Sequence, residues 1–73
     1  MPLPSPTTLL DVILKREGQI RRWTIRMASV GWACTVESAG HVTSSACPTR
    51  DLAMAKVGEW QVEIAVAKAD GWT

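Results

Sequence analysis

Phenylalanine and tyrosine are absent from this 73-residue chain, histidine occurs once and cysteine twice. The four tryptophans are therefore the only aromatic side chains that can fill a core or anchor a contact. Cys34 and Cys47 make no CxxC pair and are too few for a disulfide scaffold. With His41 they are the only soft metal-ligand types, and they lack the paired short spacings of structural zinc sites. No apolar run approaches the roughly 20 residues that span a bilayer. The N-terminus, Met1-Pro2-Leu3-Pro4-Ser5-Pro6, lacks the basic and apolar regions of a signal peptide. A cytoplasmic protein with reduced thiols and no membrane contact is expected.

Catalytic patterns are also missing. The five glycines are dispersed and form no phosphate-cradling loop. A Cys–His nucleophile pair would lack an orienting third group, and so short a chain leaves little room for a substrate cleft. Neither an enzyme, a cofactor nor a metal site is expected. The net charge of +1 argues against a strongly electrostatic nucleic-acid binder. Residues 1–36 nevertheless hold five cations against two carboxylates, and residues 37–73 hold three against five. That makes a mild dipole with one basic end.

What the chain does have is a hydrophobic share of 47%, ordinary for a globular domain. Its length suits a single domain near the lower limit for a self-supporting core. The most distinctive segment is Arg21-Arg22-Trp23-Thr24-Ile25-Arg26-Met27. Trp23, Ile25 and Met27 alternate with Arg22, Thr24 and Arg26, so a strand here seals a core with one face and presents guanidinium groups on the other.

The rest of the chain is read around that strand. Residues 1–6, with three prolines, suit an extended arm. Thr8 and Asp11 sit at capping-box spacing, and Leu9, Leu10, Ile13 and Leu14 fall on one face of a short helix at 7–17, closed by Gly18. Strands at about 20–28, 32–37 and 42–46 form an antiparallel meander, with turns at 29–31 and 38–41. Trp32, Cys34 and Val36 share one side of the second strand. Ala53, Val57, Trp60, Ile64 and Ala67 then recur at helical spacing, giving a helix from about 49 to 68 with Thr49 as its cap. The competing pattern is a helix at 49–57 and a fourth strand at 60–67, since Trp60, Val62, Ile64 and Val66 also alternate. Residues 70–73 are a tail whose Trp72 can fold back. The expected fold class is α+β: a three-stranded antiparallel meander packed against an N-terminal helix and a longer C-terminal helix (αβββα), spanning 7–69 as one domain.

The helix–strand–strand–strand–helix order from Thr7 to Lys68 resembles the double-stranded-RNA-binding domain in topology. That family starts its last helix with a lysine-rich phosphate clamp. Here the equivalent stretch, Pro48-Thr49-Arg50-Asp51-Leu52-Ala53-Met54-Ala55-Lys56, places an acid among separated cations. In size, solitary domain and lack of catalytic residues the chain resembles the small inhibitor proteins of phages and mobile elements, including anti-CRISPR proteins. The resemblance implies a non-catalytic inhibitor that occupies a functional surface of a larger host protein or nucleoprotein complex. Arg22 and Arg26 are the expected charge-assisted contacts, with Arg16 and Arg21 at the rim and Trp32 as an apolar anchor. The alternative is a small nucleic-acid-binding domain that contacts phosphates through the same arginine face. A homodimer formed through a sheet edge or helix stripe is a third expectation, since so small a core gains from association.

Overall fold

A computed structural model describes residues 8–73, and the extended arm expected at 1–6 lies outside them. Four strands precede one helix: β1 (Thr8–Arg16), β2 (Gln19–Met27), β3 (Trp32–Ser38), β4 (His41–Cys47) and α1 (Arg50–Ala69). The strands pair in chain order as one antiparallel meander. Two expectations are thereby corrected. The N-terminal helix at 7–17 is a strand over the described residues, and the sheet has four strands rather than three.

The physical reason lies in residues 10–18. Leu10, Val12 and Leu14 alternate with Asp11, Ile13 and Lys15, and β-branched Val12 and Ile13 favour a pleated surface. Glu17 and Gly18 both take positive φ, 50° and 79°, which is the geometry of a two-residue hairpin turn matched to strand twist. That turn pairs Arg16 with Gln19 and lays β1 along the whole of β2. An isolated helix of this length would be marginal on its own. The strand instead gives Trp23 and Ile25 neighbours on both sides. Ala39 and Gly40, at φ 51° and 79°, make the same kind of turn between β3 and β4.

The helix begins and ends by recognisable chemistry. The Thr49 hydroxyl accepts from the Leu52 amide at 3.3 Å. At the other end Trp72 N donates to Ala67 O and Gly71 N to Lys68 O, with Gly71 at φ 102°. This is the left-handed Gly closure of a helix. It turns the tail back so that Trp72 is buried and Thr73 exchanges two backbone hydrogen bonds with Lys15 on the edge of β1. The alternative of a fourth strand at 60–67 is not adopted.

Across one sheet face α1 lays Ala53, Val57, Trp60, Ile64 and Ala67 on Leu10, Leu14, Trp23, Ile25, Trp32, Cys34 and Cys47. Met27, expected to share that core, is half-exposed at its end. At Gly31, with φ 73°, a β-carbon would lie 2.6 Å from Cys47 O, so the β2–β3 connection passes too close to the end of β4 for any side chain. Among the described residues, no helix is long and apolar enough to cross a membrane.

Candidate functional site

A single helix covers only one side of a four-stranded sheet. The other face is open, and strand alternation decides what it displays. The pairing puts Asp11, Thr24, Thr35 and Ser44 in one row, and Ile13, Arg22, Glu37 and Val42 in the next. Arg26 pairs with Ala33, which pairs with Ala46. The middle of the face is therefore lined by short side chains, with charged ones rising around it. Arg22, Thr24, Arg26, Ala33, Thr35 and Glu37 enclose a shallow depression of about 260 Å³.

Asp11 organises the arginines. It lies opposite Thr24, the residue between Arg22 and Arg26, so both guanidinium groups reach it diagonally. Arg22 donates from Nε and Nη2 to the two carboxylate oxygens of Asp11 at 3.1 Å each, a bidentate fork. Arg26 Nη2 is looser, at 3.5 Å from Asp11 Oδ2. The Arg22 hydrogen bond holds the Asp11 carboxyl below its usual value of 3.8, against a smaller opposing effect of burial. The same contact raises the Arg22 guanidinium above its usual value. Arg22, Arg26 and Lys15 share this face with two carboxylates, Asp11 and Glu37, so the face is preorganised and its positive charge largely balanced.

This pairing has a pH signature. Because folding lowers the Asp11 pKa, its contribution is complete above the unfolded value and is lost as pH falls through the folded one. Asp11 is about a third exposed, so screening limits the contribution to roughly 0.5–1 kcal/mol. Asp11→Asn is expected to lower stability by about that amount near neutral pH, with wild type and variant converging in acid well below the usual carboxyl value of 3.8. Urea unfolding at both pH values checks it.

The other expected site residues lie elsewhere. Arg21 points to the helix side, where its guanidinium stacks 5.0 Å from the Trp72 ring and its Nε donates to Ser38 Oγ at 3.2 Å. Arg16 Nη1 meets Asp70 Oδ2 at 3.1 Å beside the returning tail. Trp32 is buried, 6% exposed, on the core face. Arg22 and Arg26 are thus brought together, while Arg16 and Arg21 fasten the C-terminal tail and Trp32 fills the core. Asp11 was missed as a face residue. Its signal was the Glu17-Gly18 turn, which fixes the β1–β2 register.

On the core face Cys34 and Cys47 approach to 3.3 Å between their sulfurs. Burial, with help from the Cys47 hydrogen bond, pushes the Cys34 thiol up to about 11. Among the described residues, no group of three or more His, Cys, Asp or Glu side chains converges as a metal site.

The fold and face define a class: a small ββββα domain with one helix-covered and one uncovered sheet surface. Comparison with known protein families, curated proteins and solved structures finds no match to the chain.

Proposed function

We propose that this is a non-catalytic binding protein, of the inhibitory kind, whose uncovered sheet face occupies a functional surface of a larger host protein or nucleoprotein complex. The observation that carries the reading is the pair Arg22 and Arg26, held by Asp11 over a flat floor of Thr24, Ala33 and Thr35. A guanidinium fixed in advance loses less side-chain freedom on docking. Arg26, with its side chain 55% exposed, retains donors for a partner carboxylate or carbonyl. The carboxylates of Asp11 and Glu37 offset most of the positive charge of the face, which favours a protein surface over a phosphate backbone, since the latter rewards uncompensated cations.

Affinity capture from lysate of the natural host, with and without nuclease, tests the reading. A stoichiometric protein complex that survives nuclease is expected. Recovery of nucleic acid alone, with affinity falling by roughly 0.9 log units per log unit of salt for each phosphate contact, would replace it with the phosphate-binding alternative.

Self-association is a second reading, favoured by the β4 edge. Residues 41–46 are exposed, and none carries a formal charge with His41 neutral. The Ser38–His41 pair closes a two-residue turn, so the backbone groups of Val42, Ser44 and Ala46 point away from β3. Such an edge lacks the charges that usually block strand addition. The expected result is a dimer by size exclusion with light scattering, returned to monomer by Ser44→Lys. A monomer at all concentrations would exclude it.

A further inference from the structure

Cys34 and Cys47 are 13 residues apart in sequence, and their sulfurs lie 3.3 Å from each other in the core. Cys34 pairs across the strands with Ser45, so Cys47 is its diagonal neighbour on the same face. The two sulfurs do not have the same surroundings. Cys34 is fully buried, whereas Cys47 is 9% exposed and lines a groove with Pro48, Leu52, Ala55, Lys56 and Glu59. Cys47 is thus the less enclosed of two buried residues and borders the groove, with Cys34 behind it.

We propose that Cys34 and Cys47 form a reversible redox site, in which a small-molecule disulfide of the glutathione type enters at Cys47 and converts the pair to an intramolecular disulfide. Cys47 loses its proton to water and its thiolate attacks one sulfur of the small disulfide. That S–S bond breaks, a mixed disulfide forms at Cys47 and one small thiolate leaves. Cys34 then loses its proton and attacks Cys47 Sγ, and the second small thiolate leaves. Two protein thiols are oxidised by two electrons, and one small disulfide is reduced to two thiols.

The register explains why the bond is reversible rather than permanent. Diagonal partners in an antiparallel sheet sit about 7–8 Å apart, slightly beyond the usual Cα span of a disulfide, about 4.4–6.8 Å. Closing the bond draws the end of β4 toward β3. Cys47 is the last residue of its strand, so the displacement is confined to the strand end. A bond closed with such displacement is more easily reduced than one in relaxed geometry. Burial that keeps Cys34 protonated makes the second step slow.

The test uses the full chain, folded, incubated with oxidised glutathione, then read by intact mass and by alkylation in denaturant. The expected product has lost two hydrogens, takes up no alkylating agent and regains both reactive cysteines with dithiothreitol. Cys34→Ala is expected to stop at one glutathione adduct on Cys47, and Cys47→Ala to take up no glutathione while folded. Two alkylated cysteines in the treated wild type, or a stable wild-type adduct, would overturn the proposal even if both variants failed to fold. An adduct on Cys34 in folded Cys47→Ala would overturn the order of entry.

Discussion

Trp23→Ala is expected to abolish the cooperative unfolding transition, while Trp23→Phe keeps one. Trp23 is 2% exposed and stands mid-sheet between Val12 and Val36, under the helix. Replacing a buried Trp by Ala costs about 3–5 kcal/mol through lost transfer energy and the cavity left behind. A domain of this length is stable by about 4–11 kcal/mol at typical per-residue values, and small domains lie at the lower end. The loss therefore consumes most or all of the margin. Trp23→Phe removes less volume. It also removes the indole N–H, which is buried without a hydrogen-bond partner among the described residues. Leaving such a donor unpaired costs about 1–3 kcal/mol, so its removal offsets part of the lost packing. Circular dichroism through a urea titration distinguishes the two variants. A normal transition in Trp23→Ala would mean that the core does not depend on this row.

Arg22→Glu/Arg26→Glu is expected to eliminate partner binding and leave the fold intact. Both side chains project from the uncovered face and contribute nothing to the packed core. Reversing them sets two new carboxylates near Asp11 and Glu37 and leaves Lys15 as the cation of a mainly acidic face. Interface residues at a hot spot lose about 2 kcal/mol or more each when truncated. Reversal at two positions should weaken binding by at least roughly a thousandfold if each costs that much and the effects add. The structural penalty is smaller, since the lost pairs are exposed and solvent screens both their attraction and the new carboxylate repulsion.

Much of the molecule can be read from residue order because local rules and packing agree there. Over 53–67 the helical stripe prevails over the competing alternation of Trp60, Val62, Ile64 and Val66, and the alternation of 21–27, the turn around Ala39-Gly40 and the Thr49 cap each have one dominant reading. Residues 9–14 do not. Their apolar run satisfies a helical face and a strand face at once, and the choice falls to the two-residue turn at Glu17-Gly18 and to what β2 needs beside it. The site suffers from the same ambiguity. As a helix-capping residue Asp11 would never meet Arg22, but with β1 paired to β2 it becomes the carboxylate that positions both arginines. Arg21 and Trp72 show a related limit, because their stacking depends on how the tail returns after Gly71. The closeness of Cys34 and Cys47 likewise follows from the β3–β4 register rather than from their spacing.

We propose the uncovered sheet face, and not the helix side, as the binding surface. Capture from nuclease-treated host lysate with three baits tests it most directly: wild type, Arg22→Glu/Arg26→Glu, and Val62→Lys/Val66→Lys. The two valines are exposed on α1 and outside the core. One stoichiometric protein partner is expected with wild type and with the helix variant, and its loss with the arginine variant while that remains folded. Retention by the arginine variant together with loss by the helix variant would contradict it and move the binding surface to the other side of the molecule.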